Sequence, residues 1–265
     1  MVHGRIKSRT ILAGHALDSL TLLLVAALSF LTAGTIKGLA GIGLPTAAIA
    51  FMTLAIDPRA AIALVMFPMI GANAWQLFRG GDLVRTAKRY GVFACVLFIG
   101  VAATALATQD ASDRILLFAL GLVVLVFVAV SWRNLIPPLP DRWDRPAQIA
   151  FGLFAGVVGG MTAGWGAPLA MYLATRRVDK DEFVRASGFL IFVGSLPLCI
   201  AYAGLGFLTG PLAGLSFVML VPTLIGFSLG EHMRSKLSFD GFRKAVLILF
   251  VFLGLNLIRR GVWYA

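Results

Sequence analysis

The chain has 265 residues, of which 59% are hydrophobic and only 13% charged, with a mean hydropathy of +0.91. That balance excludes an ordinary soluble domain, where about 25% of residues are charged. The net charge of +11 does not point to nucleic acid, because Lys and Arg fall mostly in short stretches between apolar runs, the pattern of a membrane protein with basic cytoplasmic loops. The lipid bilayer is therefore the first expected partner, and nucleic-acid binding is not expected.

Residues 1–18 are basic, with Arg5, Lys7 and Arg9, and read as a short surface helix or as the flank of a first span. Segment 19–38 is apolar and runs into a glycine-interrupted stretch at 34–45, GTIKGLAGIGLP. Segment 44–56 continues until Asp57-Pro58-Arg59, where proline makes a turn. A full span is expected at 60–78, a basic loop at 79–89 with Arg79, Arg85, Lys88 and Arg89, and further spans at 90–107 and 113–131. The loop at 132–146 holds Pro137-Pro138-Leu139-Pro140 and is the midpoint. Segment 147–161 then enters a second interrupted stretch at 156–168, GVVGGMTAGWGAP, and 167–175 leaves it. A charged loop at 176–185 precedes spans at 186–204, 211–229 and 243–259.

The halves share a register. An offset of 123 carries Gly41, Gly43 and Pro45 onto Gly164, Gly166 and Pro168, and Gly71 onto Gly194; upstream of the break an offset of 122 pairs Gly34 with Gly156 and Gly38 with Gly160. This reads as one transmembrane domain, 1–265, built from repeat 1 (about 19–131) and repeat 2 (about 147–259). Loops 132–146 and 176–185 are both basic and belong on one side, with the second break between them. Its arms fall short of the roughly 20 residues a span needs. The expected fold is an all-α polytopic membrane protein of about seven or eight spans, with two inverted repeats. Each repeat is a glycine-broken re-entrant segment plus three transmembrane helices. The two tips are expected to meet near the midplane, bringing Gly41 and Gly43 close to Gly164 and Gly166. This scheme sets Arg5, Lys7, Arg9, Arg259 and Arg260 outside, against the charge rule.

Glycine and proline free backbone groups that lipid cannot satisfy, so broken backbone persists at membrane depth only when packed in protein or lining a watery cavity. A matched pair of breaks marks a transporter's binding site; the competing reading is close helix packing through small residues. Lys37 lies inside the first break, where an ionised group is costly. It faces a cavity, a partner or an anion, or else snorkels to the interface along its stem. Gly38, Gly41 and Gly43 beside it would bare backbone N–H groups to an anion. Asn73 and Gln76 recur at i, i+3 on one helical face and either donate to substrate oxygens or bond between helices. In the second break Gly160, Thr162, Gly164, Trp165 and Gly166 are the matching candidates, with Trp165 either walling a pocket or marking an interface. Ser187 and Ser195 are weaker ones. Apart from Asp113 at the very start of 113–131, Asp and Glu are absent from the confidently placed spans, so a carboxylate proton relay is not expected. No metal-ligand cluster, catalytic constellation or cofactor motif is evident, and neither an enzyme nor a cofactor is expected.

These residues resemble the TauE/SafE family of sulfite exporters, also called TSUP. The likeness rests on GTIKGLAGIGLP, on DPRAAIALVMFPMIGANAWQLFRGGD and on GVVGGMTAGWGAPLAMYL. The first stretch is similar to the subgroup with Lys before the central Gly. The second has Trp165-Gly166-Ala167-Pro168 in place of the double Gly before Pro. The resemblance implies a multi-pass protein of the bacterial-type inner membrane that moves sulfite, sulfoacetate, a related organosulfonate or another small sulfur-containing anion. A secondary transporter acting as an exporter is the leading expectation, a passive anion channel the alternative. A second copy of the chain, forming a homodimer, is a candidate partner beside the small anion.

Overall fold

The computed structural model describes residues 19–133, 137–236 and 239–263. The basic flank with Arg5, Lys7 and Arg9 lies outside them. Among the described residues every regular element is helical. The first half holds α1 (Ser19–Ala40), α2 (Leu44–Met52), α3 (Pro58–Arg79), α4 (Leu83–Ala107) and α5 (Asp113–Arg133). A 3-10 turn at Asp141–Trp143 leads into α6 (Asp144–Thr162), α7 (Gly166–Thr175), α8 (Lys180–Gly204), α9 (Gly210–Lys236) and α10 (Phe239–Trp263). Both halves follow one order: a long helix, a break, a short helix, then three long helices. Among the described residues five helices, α1, α3, α4, α8 and α9, are long and apolar enough to cross a membrane.

The basic loops are shorter than hydropathy implies. Arg85, Lys88 and Arg89 belong to α4, and Arg185 to α8. Helix starts are set by caps rather than by where the apolar run begins. Asp82 accepts the Arg85 backbone N–H at 3.3 Å, and Asp179 accepts that of Glu182 at 2.8 Å. The latter bond holds the Asp179 carboxyl below the usual carboxylate range. Carboxylates do enter helices, Asp113 in α5, Asp144 in α6, Asp181 and Glu182 in α8 and Glu231 in α9 among them, near the helix ends.

Contacts sort the helix ends into two sets. At one end Tyr90 donates to Glu182 at 2.7 Å, Arg89 pairs with Glu182 at 2.6 Å and Arg79 with Glu231 at 3.3 Å. Gln148 donates to the Arg89 carbonyl at 3.1 Å, and Tyr172 to Asp144 at 2.9 Å. This basic end gathers the starts of α4, α6 and α8 and the ends of α3, α7 and α9. At the far end Arg59 donates to the Thr108 carbonyl at 3.4 Å and to that of Ala111. Arg114 donates to the carbonyls of Gly261 and Val262 at 3.2 and 2.9 Å, and Arg260 to that of Thr53. These three arginines serve bare carbonyls at helix ends and turns. That accounts for Arg260, and for Arg59 and Arg114 beside it, at the end opposite the basic loops.

Glycines set the closest approaches. A Cβ on Gly34 would lie 2.3 Å from the Thr223 carbonyl oxygen, one on Gly38 2.2 Å from that of Phe227, and one on Gly226 2.1 Å from that of Leu31. Thus α1 and α9 touch backbone to backbone. The same contacts show that they run parallel, since Leu31 meets Gly226 and Gly38 meets Gly230. In the other half α6 packs on α4 in the same manner, with Gly152 against Phe93, Gly156 against Gly100 and Gly160 against Thr104. Each half therefore docks its first helix on the fourth helix of the other half.

That docking overturns the midplane meeting of the tips. Helix α1 ends at the basic end, whereas α6 ends beside the end of α4, on the far side. The first break thus lies toward one end of the bundle and the second toward the other. The physical reason is that Gly34, Gly38, Gly156 and Gly160 do not break their helices; they pack them. With those residues helical, α1 has 22 residues and α6 has 19, about 33 and 28 Å of rise, enough to carry each tip across most of a bilayer. Only residues 41–43 and 163–165 are interrupted.

Candidate functional site

At the first break Gly41 and Gly43 take φ of 80° and 101°, left-handed values that favour glycine. The Gly41 N–H still closes α1 on the Lys37 carbonyl at 2.7 Å, after which the chain reverses into α2. Helix α2 starts without a side-chain cap, so its positive end is left to the break.

Lys37 stands one turn before the reversal and is 1% exposed. It does not snorkel. Its Nζ donates to Asn73 Oδ1 at 2.7 Å and sits 5.8 Å from the centre of the Phe227 ring. Among the described residues no carboxylate lies within ion-pair distance of it. Glu231, near the end of α9, pairs with Arg79 at 3.3 Å. An ammonium has three N–H donors, and one is spent on a neutral amide. Asn73 is oriented for that role, since its own Nδ2 donates to the Met69 carbonyl at 2.7 Å.

Gln76, one turn along α3, reaches the same break. Its Nε2 donates to the Val184 carbonyl and faces Ser187 Oγ at 3.4 Å and the Gly41 carbonyl at 3.5 Å. Ser187 Oγ lies 3.1 Å from the Val184 carbonyl and 3.4 Å from that of Gly41. Lys37, Gly41, Asn73 and Gln76 are therefore brought together, with Ser187 as the contribution of α8. Gly43 adjoins them in the turn. Gly38 packs in the α1–α9 seam, against the backbone of Phe227, Gly230 and Glu231. The residues that sequence reasoning missed are Val184, Phe227 and Glu231. Val184 contributes only its backbone carbonyl, which carries no residue signal.

The second break is built differently. Ala163 holds φ 54°, a conformation uncommon outside glycine. Thr162 donates to the Val158 carbonyl at 2.8 Å and accepts the Gly164 N–H at 3.2 Å, so its hydroxyl is occupied locally. Gly160 lies in the α6–α4 seam. Gly164 faces Val123, and Gly166 faces Phe127, both on α5. Trp165 is fully buried, and a Cβ on Gly159 would come 1.9 Å from its ring. The offset that pairs Gly38 with Gly160 pairs Lys37 with Gly159. The second half thus has an indole over a bare glycine where the first half has its lysine. These residues sit toward the far end, apart from the Lys37 group. Trp75, next to the Lys37 partners in sequence, is exposed and carries Arg79 over its ring at 5.6 Å.

A family model described as Sulfite exporter TauE/SafE matches residues 25–257, a stretch that includes both breaks and the Lys37 group. The chain belongs to the TauE/SafE family. TauE/SafE proteins are membrane transporters, and the apolar helices fit an integral membrane protein. Neither a curated relative nor a solved structure matches the chain.

Proposed function

We propose that this TauE/SafE chain is a secondary transporter that exports a small sulfur-bearing anion, such as sulfite, sulfoacetate or a related organosulfonate, across the cell inner membrane. The observation that carries this reading is Lys37, a buried cation whose one side-chain hydrogen bond among the described residues goes to a neutral amide. An ionised group at membrane depth costs about 3 kcal/mol on insertion scales. A bound anion offsets that cost and takes up the remaining ammonium donors. Lys37, Asn73, Gln76, Gly41, Gly43 and the start of α2 form the site in this reading. Trp165, Thr162, Gly164 and Gly166 form its counterpart toward the opposite face, a closure rather than a second ligand set.

The repeats are inverted in this reading. Support comes from the docking of α1 on α9 and α6 on α4, with the breaks toward opposite ends. The basic end is cytoplasmic by the charge rule, which opens the Lys37 site toward the cytoplasm and the Trp165 closure toward the outside. The full burial of Lys37 and Trp165 favours a carrier with closed states over an open channel.

A thermal-shift panel in detergent tests the site directly, because a ligand that binds only the folded protein raises apparent stability. Sulfite, sulfoacetate or another small sulfonate is expected to raise the midpoint, and chloride at equal ionic strength is not. A flat response to every small anion would remove the anion site from this account.

A further inference from the structure

The donors and acceptors around the first break do not balance, and the imbalance describes the ligand. Gln76 is 3% exposed. Its Nε2 faces three acceptors, the Val184 and Gly41 carbonyls and Ser187 Oγ. Flipping the amide would set Oε1 against two carbonyls that cannot donate, so its orientation is fixed. Oε1 is then left as a buried acceptor with no hydrogen-bond partner among the described residues. One turn away on the same face of α3, Asn73 holds the Lys37 ammonium, which has N–H groups to spare. The site therefore offers surplus donors at one position and a surplus acceptor at the next.

Resting on the reading of this break as an anion site, we infer that its ligand is an oxyanion bearing a hydrogen-bond donor of its own. It is a singly protonated oxyanion, or a sulfonate with an O–H or N–H beside the charged group. The anionic oxygens lie toward Lys37 and the O–H or N–H donates to Gln76 Oε1. A fully deprotonated or methyl-capped anion satisfies Lys37 but strands Oε1. Buried acceptors left unpaired are costly, and sites built around a hydrogen bond to the ligand reject analogues that lack it far better than apolar pockets reject a missing methyl group.

Sulfamate and methanesulfonate isolate this feature. Both are tetrahedral monoanions of nearly the same size, one carrying N–H donors and the other a methyl group. Titration calorimetry on the purified full-length protein is expected to give at least roughly tenfold tighter binding of sulfamate. In Gln76→Met the two are expected to bind within about twofold of each other, because the acceptor is gone. The wild-type comparison stands alone if that variant does not fold. Equal wild-type affinities would overturn the inference and leave the anion site standing, with water serving Oε1. Binding of neither ion by folded protein would overturn the anion site and the inference together.

Discussion

Replacing Lys37 with glutamine or alanine is expected to abolish anion binding and leave the fold intact. The ammonium is the one full positive charge within the cluster of Lys37, Gly41, Asn73, Gln76 and Ser187. Removing one member of a buried charge pair costs about 2–5 kcal/mol of binding, so affinity falls by about 30-fold or more. Stability moves little, because the variant also loses the cost of burying an uncompensated charge. Glutamine keeps a donor for Asn73 Oδ1, whereas alanine strands that oxygen at about 1–3 kcal/mol. Lys37→Gln is thus the cleaner variant. Lys37→Arg keeps the charge with a larger, planar head and retains partial function. Calorimetry checks binding, and thermal unfolding checks the fold. Wild-type affinity in Lys37→Gln would take Lys37 out of the site.

Gly226→Ala is expected to destabilise the protein by about 1–3 kcal/mol, the usual range for overpacking. The new methyl would lie 2.1 Å from the Leu31 carbonyl oxygen and 3.0 Å from the Thr35 backbone nitrogen. Both are backbone atoms of α1, so relief requires that α1 and α9 separate. Membrane helices gain their association from such close packing rather than from the hydrophobic effect. The seam also seats Lys37, since Gly38 meets Phe227 and Glu231 directly. Anion affinity should therefore fall along with the unfolding midpoint. Gly214→Ala, in the same helix with nothing within 4 Å of the added carbon, is the control and should be neutral or slightly stabilising. Equal stability of the two variants would deny the α1–α9 seam.

The helical class, the matched halves and the residues of the first break were legible because they leave local marks. Hydropathy marks spans, Gly41-Ile42-Gly43 marks a reversal, and a lysine in an apolar run has few reasons to be there. The i, i+3 pair Asn73 and Gln76 pointed to one face, and that face is the one that meets Lys37. What was not legible depends on contacts distant in sequence. Gly34 and Gly38 look like part of a break until α9 is seen against them. The depth of each tip follows from that packing, which is why the midplane meeting was wrong. Ser187 and Val184 reach the site from 146 residues beyond Gly41 or a similar distance, with no pattern in the chain to announce it. The Arg59, Arg114 and Arg260 pairings were hidden for the same reason, since their partners are backbone carbonyls and carry no residue signature.

An anion leaving a cell with a negative interior is driven outward without a coupled cation. At 100 mV the potential contributes about 2.3 kcal/mol per charge, a gradient of roughly fiftyfold. The most direct measurement is flux of labelled sulfite in proteoliposomes under an imposed potential, with pH and sodium balanced across the membrane. Wild-type protein is expected to give saturable flux that follows the potential and is stimulated by unlabelled anion on the opposite side, while Lys37→Gln gives none. No flux of any small anion through folded wild-type protein would contradict the account, as would non-saturating flux without counterflow.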